Sequence, residues 1–304
     1  MADDQREGVY GAPPAALAPT APGAMQLSPL VPGSAAFETL ADGALVRIAI
    51  AAPAGTLERR YTLAQALRTL APGGRLTALA PKDKGGARIR GELEGFGCSV
   101  QETSKQHHRI CAADRPDRVD GLDAAIAAGS SQSPPGLGLW SQPGVFSWDR
   151  VDPGSALLAA ALPALAGAGA DLGCGVGFLA LKVLASPAVT RLALLDIDRR
   201  ATQAAQRNID DPRAAFAWAD VRAWPAPDGL DFVVMNPPFH DGGAEDRALG
   251  QAFIRRAAQM LRKGGRCWLV ANRHLPYEAV LAEAFAAVTP RADAGGYKVL
   301  EAER

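Results

Sequence analysis

The tetrapeptide Asn236-Pro237-Pro238-Phe239 closes an apolar run, Leu230-Asp-Phe-Val-Val-Met235, and its residue types suit one task, holding a planar amine. The amide oxygen of Asn236 and the carbonyl oxygen of Pro237 can both accept from one exocyclic NH2. The ring of Phe239 offers a base a stacking face. Upstream, Asp171-Leu-Gly173-Cys-Gly175-Val-Gly177 reads as a glycine-rich turn between a strand and a helix. Its glycines permit tight backbone angles and close approach of a ligand, and the helix start behind them carries unpaired N–H groups.

Three carboxylates fall at the ends of three successive strands. Asp171 is placed for an ammonium group and Asp196 for both hydroxyls of a ribose. Asp220, in Trp218-Ala-Asp220-Val, is placed to accept from an adenine amine. A ligand with an ammonium, a ribose and an adenine but no phosphate is S-adenosylmethionine (AdoMet). The same acids would repel a pyrophosphate, and the G-x-G-x-G spacing departs from the G-x-G-x-x-G of NAD sites. The cofactor set is therefore Phe146, Asp171, Gly173, Gly175, Gly177, Asp196, Asp220 and Asn236, with Phe146 of Pro143-Gly-Val-Phe146-Ser147 as a cover. Asn236, Pro237 and Phe239 form the catalytic set.

The implied chemistry is methyl transfer to an exocyclic amine. Displacement at a sulfonium methyl is in-line, so the enzyme's work is positioning and charge preorganisation. Accepting the amine's protons favours a lone pair localised toward the methyl group, and no strong base is required. A stacked base must be unpaired or flipped out of its helix. His240 and Asp241 are expected to shape the loop. His107-His108 with Cys98 and Cys111 fit alternation along a strand better than a metal site, and no metal is expected.

These residues need a scaffold, and the second half alternates as an α/β fold should. Helices are expected near 153–166, 176–185, 199–208 and 247–261, with strands at 168–171, 191–196, 214–219 and 230–235. Repeated crossovers imply a doubly wound, mostly parallel sheet with helices on both faces, which binds ligands beyond the carboxyl ends of its strands. The first half repeats part of it. Leu70-Ala-Pro-Gly-Gly-Arg-Leu-Thr-Ala-Leu-Ala80 parallels Leu261-Arg-Lys-Gly-Gly-Arg-Cys-Trp-Leu-Val-Ala271, and Arg47–Pro53 parallels Phe232–Pro238, with Ala51 where Asn236 stands. The expected organisation is a disordered Ala/Pro-rich tail over 1–32 and a degenerate copy over 33–128. A linker over 129–142 and a catalytic domain over 143–304 follow.

The 304 residues are 48% apolar, and 32 basic residues balance 32 acidic ones, so any nucleic-acid partner meets a local basic surface rather than a polycation. Lys82, Lys84, Arg88 and Arg90 form one such cluster beside Glu92 and Glu94. Four scattered cysteines argue against a disulfide scaffold or zinc ribbon. Without a signal-peptide pattern or an apolar run long enough to span a bilayer, a cytoplasmic location is expected.

Taken together, Pro143-Gly-Val-Phe-Ser147, Asp171–Gly177, Asn236-Pro-Pro-Phe-His-Asp-Gly242, Val270-Ala-Asn272, Leu275-Pro-Tyr277 and Tyr297-Lys-Val299 resemble the bacterial ribosomal-RNA guanine-N2 methyltransferases of the small-subunit methyltransferase C and large-subunit methyltransferase G group. The resemblance runs through the whole second half, and its specific part is the His-Asp-Gly extension with the Pro-Gly-Val-Phe-Ser entry. It implies two tandem Rossmann-like domains, the first having lost cofactor binding. It further implies guanine N2 in ribosomal RNA, commonly within a subunit; 16S is expected ahead of 23S, and both stay open. Asn-Pro-Pro-aromatic alone also serves adenine-N6 and glutamine-N5 methyltransferases, and a non-catalytic RNA-binding or assembly factor is a further alternative.

Overall fold

The computed structural model describes residues 6–225, 229–238 and 244–304, the side chains of 244–247 excepted. The chain folds as two compact α/β units, one of residues 1–131 with 142–144 and one of 132–141 with 145–304.

The second unit holds α4 (Pro153–Ala161), β7 (Gly167–Leu172), α5 (Phe178–Leu184), β8 (Val189–Asp196), α6 (Arg199–Asn208), β9 (Ala214–Trp218) and β10 (Leu230–Met235). Then come α7 (Ala244–Met260), β11 (Leu261–Asn272), α8 (Glu278–Ala284), β12 (Ala287–Ala294) and β13 (Tyr297–Glu303). Its seven strands lie in the order β12-β13-β11-β10-β7-β8-β9, parallel from β11 to β9, with antiparallel β13 and β12 at one edge. The sheet is buried on both faces. Val233 and Met235 pack with α7 and α8, while Phe232 and Val234 pack with α4 and α5. That is why β10 reads as an unbroken apolar run rather than an alternating one. Helix α4 stops short of the expected 166, because Leu162 precedes Pro163 and takes an extended conformation (ψ 129°).

From β7 the chain runs outward through β8 to β9, then returns to place β10 on the other side of β7. The switch point therefore lies between β7 and β10, where Met235 pairs with Leu172. Asn236 and the glycine turn leave neighbouring strands at the same edge, which is where open α/β sheets bind ligands.

The first unit holds β1 (Glu7–Tyr10), β2 (Met25–Gln26), β3 (Leu45–Ala51), α1 (Thr56–Thr69), β4 (Leu70–Pro81), α2 (Ala87–Gly95), β5 (Val100–Lys105), β6 (His108–Asp114) and α3 (Leu122–Gly129). Its sheet order, β2-β1-β3-β4-β6-β5, is that of β8-β7-β10-β11-β13-β12. The two share even their irregularity. Leu45 pairs with Leu70 and Arg47 with Arg75; likewise Leu230 pairs with Leu261 and Phe232 with Arg266. On this register Ala51 stands where Asn236 does, Val9 where Asp171 does and, two residues beyond β2, Ser28 where Asp196 does.

Two boundaries differ from the sequence expectation. Described residues from Arg6 to Val31 form no tail: they supply β1 and β2, and bury Tyr10, Leu17, Ala18 and Leu27. Glu-Gly-Val-Tyr is too short and too weakly apolar to announce a strand, and only pairing with the apolar β3 makes it one. Nor is the stretch expected as a linker free, because residues 132–141 pack into the second unit, with Leu137 and Leu139 against Val145 and Val176.

Candidate active site

The Asn236 side chain is held from one side only. Its Nδ2 donates to Asp152 Oδ2 at 3.0 Å and to Ser155 Oγ at 2.9 Å. Its Oδ1 is buried and has no hydrogen-bond partner among the described residues. A carboxylate oxygen is an acceptor, so Asp152 turns the amide's NH2 toward itself and its oxygen away. A buried acceptor without a partner loses hydration without compensation, and a ligand's N–H would restore it. Pro237 follows, buried, and Phe239 with His240 and Asp241 lies outside the described residues.

Asp152 and Ser155 did not emerge from the sequence reading. Asp152 caps α4, its Oδ2 also accepting from Ser155 N at 2.7 Å, with Pro153 in the first turn. The Asp-Pro pair was the available signal, since it marks a helix N-terminus. What it conceals is that this cap meets the end of β10.

Phe146, Asp152, Ser155, Gly173, Gly175 and Asn236 share the wall of one open pocket. Sequence positions ninety residues apart are thus brought together. Phe146 is 55% exposed at its mouth. Gly173, Gly175 and Gly177 all have positive φ (74°, 52° and 87°), which explains why the turn is built from glycine. Gly177, Asp171, Asp196 and Asp220 are not on the wall.

The three acids differ sharply in their surroundings. Asp171 is fully buried, and neither carboxylate oxygen has a hydrogen-bond partner. Burial first, and the charge of Asp196 second, push it up to about 8, against a weak opposing attraction from the Ala180 N–H. Asp196 is pushed to about 6, chiefly by burial, while the N–H groups of Asp198 and Gly175 oppose the shift at 2.9 Å each. Asp220 is already forked to the guanidinium of Arg222 at 2.9 and 2.6 Å, which holds it below the usual carboxylate range. Its remaining lone pairs, not a vacant carboxylate, are what an adenine amine would meet.

Ile197, not singled out from the sequence, follows Asp196 and is 39% exposed. It offers an apolar face beside that carboxylate, the pairing a ribose-linked heterocycle requires. Because Asp196 also anchors the Gly175 N–H, Asp196→Ala is expected to weaken AdoMet binding at least tenfold, about the value of one or two charge-assisted hydrogen bonds. Calorimetric titration measures it, and an unchanged Kd would remove Asp196 from the cofactor site.

A second anchor is Asn208 at the end of α6. Its Oδ1 accepts from Trp140 N at 2.8 Å, and its Nδ2 donates to the carbonyls of Trp140 and Val176 at 2.9 Å each. One amide thus ties the 132–141 stretch to the glycine turn. Asn208→Ala is expected to raise the Kd for AdoMet about tenfold through loss of that tie, with a smaller effect on turnover at saturating cofactor. Equal Kd values for the two proteins would refute the coupling.

Elsewhere, the cluster of basic residues is less screened than the sequence suggests. Glu92 is buried in a fork with Arg59, both bonds 2.7 Å, leaving Arg90 paired with Glu94 at 2.8 Å. His107 lies in the β5–β6 turn at φ 60°, and His108 Nδ1 sits 2.7 Å from the Gln106 carbonyl. Among the described residues no cluster of three or more His, Cys, Asp or Glu is suited to a metal ion, and no helix is long and apolar enough to cross a membrane.

Comparison with known proteins gives the family. Residues 136–301 match the methyltransferase small domain. The ribosomal RNA small subunit methyltransferase C of Pseudomonas paraeruginosa is 32% identical over 289 residues, covering 92% of this chain and 86% of the relative. That of Shewanella oneidensis is 30% identical over 251 residues, covering 79% and 71%. Among solved structures, the T. thermophilus 16S rRNA N2 G1207 methyltransferase (RsmC), in complex with AdoMet and guanosine, superposes with a TM-score of 0.80 at 28% identity, covering 98% of this chain and 88% of that one. The chain belongs to the ribosomal RNA small subunit methyltransferase C family.

Proposed function

We propose that the protein transfers a methyl group from AdoMet to the exocyclic N2 amine of a guanine in 16S ribosomal RNA. The observation that carries this reading is the buried Oδ1 of Asn236, without a hydrogen-bond partner among the described residues, on a residue that lines the glycine-turn pocket. It is an acceptor in want of an N–H, and it lies beside the turn that would hold the cofactor.

The residues fit AdoMet on their own chemistry. Asp171 is a buried carboxylate without a partner, a group that a ligand's ammonium would satisfy and a phosphate would not. Asp196 receives the ribose hydroxyls, Ile197 and Asp220 the adenine, and Phe146 covers the mouth. AdoMet supplies an electrophilic methyl group and leaves as a neutral thioether. Asn236 and the Pro237 carbonyl hold the two amine hydrogens, which turns the nitrogen lone pair toward that methyl. Phe239 stacks on the base. The proton that the nitrogen sheds after transfer passes to water, so no side chain here serves as a strong base.

The base must leave its stack to reach the pocket, so the substrate is an unpaired or flipped guanine, met within a small subunit in the cytoplasm. Small subunits and free 16S RNA from cells lacking this gene, incubated with the protein and labelled AdoMet, test the proposal by nucleoside mass spectrometry. N2-methylguanosine is the expected product. N6-methyladenosine would keep the chemistry and overturn the base, and label in protein would point to glutamine. AdoMet binding without transfer to any of these would favour a non-catalytic assembly factor.

A further inference from the structure

We propose that Asp152 and Ser155 form an orienting pair that fixes the face of the Asn236 amide, making the site select a base edge that offers a hydrogen-bond donor at the reacting position. The inference rests on the reading of Asn236 as the amine's acceptor.

An asparagine amide is nearly symmetric in shape, and a half-turn about its last torsion exchanges donor for acceptor. An unsupported Asn236 could therefore present either group to the pocket. With oxygen outward it takes an amine; with NH2 outward it would take a keto oxygen, as on uracil. Asp152 removes the second state. Both side chains receive the same Nδ2, at 3.0 and 2.9 Å, but the Ser155 hydroxyl can donate as well as accept and holds the amide in place on either face, whereas a half-turn would set Oδ1 against the Asp152 carboxylate and forfeit a charge-assisted hydrogen bond. A loss of that kind favours the observed face by roughly ten- to a hundredfold.

Asp152 is itself immobilised. It is 9% exposed, and the Oδ2 that holds Asn236 also accepts the Ser155 N–H at 2.7 Å in capping α4, where Pro153 stiffens the first turn. The cap and the amide share one oxygen, so the helix start is locked to the end of β10. Donation to a carboxylate also draws electron density toward Oδ1, which strengthens it as an acceptor for an amine proton. Asp152 and Ser155 thus act through Asn236 as positioning residues.

Asp152→Asn tests this with little change of shape. An amide oxygen at the shared position is neutral and so holds Asn236 less firmly, and turning the new amide puts an NH2 there that would donate to a turned Asn236, so the face is no longer enforced. On ribosomal subunits kcat is expected to fall about 10- to 100-fold while the AdoMet Kd stays within about twofold of wild type. Ser155→Ala should lower kcat several-fold. In an Asn236→Ala background, Asp152→Asn should add nothing, because there is no amide left to orient. A wild-type kcat for Asp152→Asn alongside an inactive Asn236→Ala would overturn the inference, as would additive losses in the double variant. If Asn236→Ala itself stays active, the reading of Asn236 fails instead. Thermal melting of each variant separates these outcomes from loss of fold.

Discussion

Asn236→Ala is expected to lower kcat on the ribosomal substrate by about 10²–10³-fold and to leave the AdoMet Kd within about twofold of wild type. The size is that of removing one preorganised hydrogen-bonding group aimed at the reacting atom. The division between kcat and Kd follows from placement. Asn236 leaves β10, whereas the turn and acids proposed to hold the cofactor leave β7, β8 and β9. Among the described residues the amide hydrogen-bonds only to Asp152 and Ser155, at the start of α4, and so removing it breaks no bond to the glycine turn. Single-turnover methylation together with calorimetric titration checks both halves. Equal losses of turnover and affinity would show that Asn236 holds cofactor more than substrate.

A second large effect follows from Asp171. Its folded-state value of about 8 lies far above the ordinary 3.8, so the native state retains a proton that the unfolded chain releases from about pH 4 upward. Stability must therefore fall as pH rises through the window from about 4 to 8. Asp196, held at about 6, steepens the lower half of that fall. Ionising Asp171 in the folded protein costs about 1 kcal/mol at pH 7, a cost that shrinks to nothing as the pH rises to about 8. A ligand ammonium would supply the missing counter-charge.

The expected result is that the melting temperature of the protein alone drops between pH 5 and 8, while that of its AdoMet complex drops less. Asp171→Asn should flatten the pH dependence and raise the melting temperature at pH 8. It should also weaken AdoMet at least thirtyfold, the scale of truncating a buried charge pair. Parallel melting curves for wild type and Asp171→Asn would mean that some other group carries the proton.

Much of the catalytic unit could be read directly from the chain. The boundaries of β10 and α6 agree with periodicity and capping to the residue, because a continuous apolar run and an Asp-capped amphipathic helix are strong local signals. The repeat was also legible. The Gly-Gly turns after α1 and α7 recur because each chain reversal needs the same positive φ, 74° at Gly73 and 76° at Gly264.

What failed were the segments without a local signal of their own. Residues 7–10 become a strand by borrowing hydrogen bonds from β3, and 25–26 by pairing in turn with 8–9. The 132–141 stretch is Ser- and Pro-rich, the composition of a linker, yet Asn208 from a helix almost seventy residues on ties it down.

The same division runs through the site. By itself the sequence determined the chemistry on offer: an amide and a carbonyl for an amine, glycines for close approach and acids for a cationic, phosphate-free ligand. Residue type and short spacing suffice for that, because donor and acceptor capacity belongs to the side chain wherever it sits. Only the tertiary structure decided which of these groups are in want of a partner. Asp220 met Arg222, Asp171 was buried without a hydrogen-bond partner among the described residues, and the amide of Asn236 was oriented by a helix cap 84 residues away. Burial and pairing depend on neighbours brought in from distant parts of the chain, and no local pattern encodes them.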